Sequence, residues 1–201
     1  IEVTLQEANE IQRPAIKERL ERGEKLIGLK MGFTSEAKMK QMGVHDMIWG
    51  RLTDSMLIQN NGQTELAKYI HPRAEPEICF RISKDIEGEV ALNDLEQYVD
   101  GVATAIEVID SRFENFKFSL EDVVADNCSS IGLSIGEWQK PSGEIRNLEM
   151  SQSFNGESVA QGSSADILGD PWKSLQAATR LAAKYKEPVS YTHLRAHETR
   201  H

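Results

Sequence analysis

Glu75 and Glu77 stand two positions apart in HPRAEPEICF (71–80), beside Ile78 and Phe80, in a stretch that reads as a strand entering a core. Residues i and i+2 of a strand share a face, so the two carboxylates project together. Taken alone, the pattern fits a solvated edge strand better than a site. Glu107 adds a third carboxylate from ATAIEVIDSRF (103–113), flanked by Ala105, Ile106, Val108 and Ile109. If the two strands are neighbours, three like charges converge where water is scarce. A hard divalent cation, Mg²⁺ or Mn²⁺, resolves their repulsion, because it prefers oxygen ligands and keeps positions for water or substrate.

Two further stretches hold polar residues in unusual company. Lys30 lies in GLKMG, between Leu29 and Met31 with a glycine on either side. It fits a lysine aimed into a cleft or one that snorkels to the surface. These glycines match neither a dinucleotide fingerprint nor a phosphate-binding loop. VVADNCSS (123–130) places Asp126, Asn127, Ser129 and Ser130 just before a strand-like run, where they suit either a helix cap or a ligand.

Elements must exist to position these groups. Thr4 and Glu7 form a capping box ahead of an approximately helical apolar spacing that Gly23 ends, with Pro14 expected to kink the run or end its first half. KLIGLKMGF reads as strand and turn. Thr34 or Ser35 is placed to cap a short helix through Met42, closed by Gly43. Strands are predicted near 65–71, 75–82, 102–110 and 130–136, with a helical stretch near 92–100. Asn155-Gly156 marks a hairpin, and Asp170-Pro171 opens a final helix. The pattern is α+β with one main domain.

Composition narrows the partners. The 201 residues are 39% hydrophobic and 27% charged, with a formal net charge of −9, which argues against nucleic-acid and anionic-membrane partners. No apolar run approaches the roughly 20 residues that span a bilayer, and the first residues lack a signal-peptide pattern. Cys79 and Cys128, far apart, suit two buried thiols in a cytoplasm. His193, His197 and His201 recur every four residues, but VSYTHLRAHET (189–199) resembles the translation of a sequencing adapter. Setting 189–201 aside leaves only His45 and His71, so no Cys/His cluster favours zinc.

GLKMGFTSEAKMKQMGV (28–44), HPRAEPEI (71–78), EVIDSRFENFKF (107–118) and VVADNCSS, in this order, resemble the 2-keto-4-pentenoate hydratase and 4-oxalocrotonate decarboxylase family of the fumarylacetoacetate hydrolase superfamily. The resemblance runs from about residue 4 to 188. It implies a mixed β-roll or barrel-like core with N-terminal helices, truncated at both ends. Residues 1–45 would form the N-terminal segment and start of the core, 46–188 the catalytic core, and 189–201 a non-native tail. Metal ligands would fall on Glu75, Glu77 and Glu107, a catalytic lysine on Lys30, an acidic partner on Asp54 in GRLTDSM, and substrate contacts on Asp126, Asn127 and Ser129.

SRFENFKF and His71 lean toward the decarboxylase branch, which acts on 2-oxohex-3-enedioate in the meta-cleavage degradation of aromatics. The hydratase branch and a scaffold that has lost its chemistry are the alternatives. The resemblance further implies a homo-oligomer that can associate with the pathway hydratase. Pro76 stands where alanine is usual between the two glutamates, which implies an edge or bulge position.

Overall fold

The computed structural model describes residues 3–35, 39–40, 45–141, 143–187 and 193–197. Helix α1 (Leu5–Glu21) starts at the expected capping box, with Thr4 Oγ1 accepting from the Glu7 backbone N–H and the Glu7 carboxylate accepting from Thr4 N–H at 2.8 Å. It runs through Pro14 as one element, contrary to expectation. Pro14 is on the solvent face, while Ala8, Gln12 and Ile16 on the other face are buried, so packing holds the helix across the missing donor. The short helix expected after Thr34 falls largely outside the described residues.

The strands are β1 (Leu26–Gly32), β2 (Ile48–Thr53), β3 (Leu57–Ile58), β4 (Arg73–Ile82), β5 (Val99–Ile109), β6 (Ser130–Ile135), β7 (Glu149–Phe154), β8 (Glu157–Ser163) and β9 (His193–His197). A short helix, α2 (Leu120–Ala125), and a 15-residue one, α3 (Pro171–Tyr185), complete the main elements. Seven strands form one sheet in the order β2-β1-β9-β4-β5-β6-β3, and β7-β8 form the hairpin predicted at Asn155-Gly156. The edge strands β2 and β3 are joined by the three-residue turn Asp54–Met56, so the sheet must roll until its edges approach. The barrel-like core follows from that connection.

Side chains of the two sheet faces separate cleanly. Leu29, Met31, Ile78 and Phe80 face outward beneath Trp172, Leu175, Ala178 and Leu181 of α3, with Phe80 and Trp172 ring centroids 5.0 Å apart. Asp170 caps α3 by accepting from Trp172 N–H at 3.1 Å, and Lys186 ends it in the left-handed conformation. Leu52, Met56, Cys79, Ala105 and Leu133 pack together on the inner face. Both cysteines are buried and neither is in a disulfide.

Three details depart from or refine the sequence reading. Residues 65–71 do not form a strand: Leu66–Lys68 is a single 3-10 turn, and the Ile70 and His71 N–H groups donate to the Asp110 carboxylate at 2.7 and 2.9 Å. Those donors are spent on a side chain, so no ladder can form there. The helical stretch near 92–100 is 3-10 over Leu92–Tyr98, and β5 begins at Val99. Residues 193–197, set aside on sequence grounds, lie in the sheet as β9, parallel to β1 and antiparallel to β4. The gap between β1 and β4 offers open backbone donors and acceptors on both sides, and an extended pentapeptide satisfies them.

Pro76 pairs with Ile106 of β5, and among the described residues β9 reaches only from Glu77 to Arg81, so no described strand adjoins β4 on its other side at the proline.

Candidate active site

Alternation and register assemble the site. Glu75 is directly opposite Glu107 in the β4–β5 ladder, and Glu77 follows two residues along the same face. One carboxylate oxygen from each of the three lies within 4.8 Å of the others. Glu77 and Glu107 are each 1% exposed. The convergence inferred from sequence is therefore present, and it sits deeper than an edge strand would allow.

Lys30 reaches the same point from three strands away. On a flat sheet β1 and β5 would lie about 14 Å apart with parallel side chains that never meet. Rolling turns the inner faces toward each other, and Lys30 Nζ comes within 3.2 Å of Glu107 Oε2. Burial alone would drive the ammonium to give up its proton. The charge of Glu107, with Glu75 and Glu77 behind it, outweighs this and raises the Lys30 pKa above its ordinary value. Lys30 is thus a buried, charged donor rather than a snorkelling surface lysine.

A second contact fixes the ammonium: Lys30 Nζ donates to the Cys128 carbonyl at 3.1 Å. That carbonyl comes from a turn in which Asn127, Cys128 and Ser129 have φ of 52°, 54° and 56°. Left-handed backbone costs about 1–2 kcal/mol per non-glycine residue, and a run of three is rare. Buried in this turn, the Cys128 thiol is pushed up to about 12 by desolvation, so it is neutral. The hydroxyls of Ser129 and Ser130 are buried with no hydrogen-bond partner among the described residues, which leaves both open to a ligand.

The remaining candidates are placed elsewhere. Asp54 does not join Lys30: it starts the turn between β2 and β3, and its Oδ1 accepts from Lys25 N–H at 2.9 Å. Lys25 and Lys30 are about 15 Å apart along an extended strand, so Asp54 closes the β1–β2 end instead. Asp126 forms an ion pair with Arg112. Asn127 spends its amide on the backbone of Arg51, accepting from its N–H at 2.7 Å and donating to its carbonyl at 2.8 Å. Sequence reading had missed Gly50 and Arg51, although a glycine within the buried strand IWGRLT is itself a sign of close backbone approach.

The donor set fits a divalent cation. Three convergent carboxylates against one ammonium leave the cluster with a surplus of negative charge, all of it on oxygen donors. Glu75, Glu77 and Glu107 would hold the ion.

The chain is similar to known proteins along most of its length. The fumarylacetoacetate hydrolase C-terminal family matches residues 29–185. A 4-oxalocrotonate decarboxylase of Pseudomonas sp is 54% identical over 187 residues, covering 93% of this chain and 73% of the relative. A 2-hydroxypent-2,4-dienoate hydratase of Pseudomonas putida is 33% identical over 174 residues, covering 85% of this chain and 78% of the relative. The solved structure of 4-oxalocrotonate decarboxylase from Pseudomonas putida G7, complexed with magnesium and adipate, superposes with a TM-score of 0.95 at 36% identity, covering 99% of this chain and 78% of that one. The chain belongs to the fumarylacetoacetate hydrolase family, in the branch that holds the 4-oxalocrotonate decarboxylases and the dienoate hydratases.

Proposed function

We propose that this chain decarboxylates 2-oxohex-3-enedioate (4-oxalocrotonate) to 2-hydroxypenta-2,4-dienoate with Mg²⁺ or Mn²⁺ bound. The observation that supports this reading most is the buried Glu75–Glu77–Glu107 cluster with Lys30 against Glu107. The similarity to a decarboxylase at 54% identity ranks this substrate above the hydratase alternative.

Decarboxylation must place the electron pair of the breaking C5–C6 bond. The pair forms C4=C5, the C3=C4 electrons move to C2=C3, and negative charge collects on the C2 oxygen as CO₂ leaves; one proton taken up at that oxygen gives the 2-hydroxy group. Glu75, Glu77 and Glu107 would hold a divalent cation, which would supply Lewis acidity for the developing negative charge. Lys30 presents a fixed ammonium beside it, stabilising the developing charge without having to reorient. The Ser129 and Ser130 hydroxyls offer hydrogen bonds to a substrate carboxylate or carbonyl. The rolled sheet keeps bulk water from the cluster, which strengthens each of these interactions.

The reading extends to setting. Among the described residues no helix is long and apolar enough to cross a membrane, and the buried thiols of Cys79 and Cys128, neither in a disulfide, suit a cytoplasmic enzyme. Leu66 and Ile70, 72% and 71% exposed, and Phe154 at 68% suit a homo-oligomeric contact, and association with the pathway hydratase belongs to the same proposal. CO₂ release from 2-oxohex-3-enedioate, measured with Mg²⁺ and again after chelation, tests the activity. Metal-dependent release is expected. Absence of release from folded protein, with water addition to 2-hydroxypentadienoate instead, would move the assignment to the hydratase.

A further inference from the structure

We propose that Asn127 is a positioning residue that acts through Lys30, a role that rests on Lys30 being the charged donor of the proposed reaction. Four observations meet at this residue. Its side chain takes both backbone groups of Arg51, at 2.7 and 2.8 Å, and so pins the 127–129 turn to β2. Gly50, the register partner of Lys30 on β2, has no Cβ; one placed there would stand 2.6 Å from the Asn127 carbonyl oxygen. The turn is left-handed through three non-glycine residues, a conformation its own sequence disfavours. Finally, its middle carbonyl, that of Cys128, accepts from Lys30 Nζ at 3.1 Å.

The parts form one device. Gly50 opens the space beside Lys30, and Asn127 holds the turn in it. The Ser129 N–H donates to Asp126 O at 3.0 Å and Asp110 N–H to Ser129 O at 2.9 Å, closing the turn at its far end and leaving the Cys128 carbonyl facing the ammonium. With a carbonyl on one side and Glu107 on the other, the ammonium is held to one place. Without the turn, the flexible lysine stem would let it swing among three carboxylates. Asn127 therefore orients the catalytic group without touching substrate, in contrast to the direct substrate contact expected from sequence.

The test combines kinetics with a signal that needs no turnover. Asn127→Ala should lower kcat by about tenfold to a hundredfold, the scale of a misplaced catalytic group, and leave KM and Mg²⁺ affinity within about twofold. Added to Lys30→Met, it should cost nothing further. Cys79 and Cys128 are the only cysteines, so cysteine labelled with ¹³C at its carbonyl gives two signals. K30M should shift the Cys128 signal upfield by removing its hydrogen bond. The isosteric Asn127→Asp, which keeps the acceptor for Arg51 N–H and loses the donor, should shift the same signal the same way in the Mg²⁺-loaded protein. An equal N127A loss with and without K30M, or an unmoved Cys128 carbonyl in N127D, would overturn the positioning role. Full turnover by K30M would instead overturn the assignment of Lys30, with the carbonyl signal still reporting on Asn127.

Discussion

At one end of the rolled sheet Leu52, Met56 and Cys79 fill the interior; at the other, Lys30, Glu75, Glu77 and Glu107 do, with Ala105 and Leu133 on the boundary, opposite Glu77 and Glu107. The two ends share their strands. Cys79 and Glu77 are two residues apart on β4, as are Ala105 and Glu107 on β5, so a single step of the strand period separates core from site. Their energetics oppose each other. Each buried leucine contributes about 1.5–3 kcal/mol, whereas each buried ion loses several kcal/mol of hydration that only its partners can offset. The contrast teaches that the charged end is not there for stability. It persists because the apolar end, and α3 on the outer face, hold the strands in register around it.

Substitutions should break this comparison in different ways at the two ends. Glu107→Ala should have the largest effect on function, reducing turnover by about a thousandfold or more and abolishing the Mg²⁺-dependent rise in Tm. Lys30→Met should lower kcat by about a hundredfold but keep that rise, because the three carboxylates remain. At the apolar end, Leu52→Ala should cost about 2–5 kcal/mol in denaturant unfolding, with Mg²⁺ affinity of the folded protein unchanged. A coupled loss, with L52A also weakening metal binding, would show that the two ends are one unit.

The smallest expected effect sharpens the boundary between them. Glu24 accepts from Thr53, Ser55 and Arg19 at the joint between β2 and β3. Burial would push its carboxyl up, but hydrogen bonds from Ser55, Thr53 and Arg19 and the charge of Arg19 prevail and hold it at about 2, below its ordinary 4.5. A depressed folded pKa stabilises above the unfolded value, and that stability is lost as pH falls from about 4.5 toward 2. Stability curves across this window should flatten slightly in Glu24→Gln, while metal affinity at neutral pH stays the same.

The sequence showed what rests on period and composition. Alternation was enough to put Glu75 and Glu77 on one face, and the apolar neighbours of Glu107 were enough to make it a buried strand residue. The Thr4–Glu7 box and Asn155-Gly156 likewise encode local geometry within a few residues. What it hid depends on contacts across the roll. Asp54 is only 24 positions from Lys30 in the chain, yet the antiparallel β1–β2 pair carries it to the far end. The 127–129 turn has no glycine to announce a left-handed backbone, since its conformation is imposed by Asn127 gripping β2. Residues 65–71 have strand-like apolar spacing, but Asp110 claims their donors from 40 residues away.

Mg²⁺ titration by calorimetry on the wild-type protein and on E107A addresses the central claim, that the charged end of the barrel interior is a divalent-cation site. The account predicts saturable binding of one ion by the wild type, with stabilisation of about 2.7 kcal/mol at free Mg²⁺ a hundredfold above Kd, and no binding by folded E107A. Equal Mg²⁺ binding by both proteins would contradict it and place the ion elsewhere in the molecule.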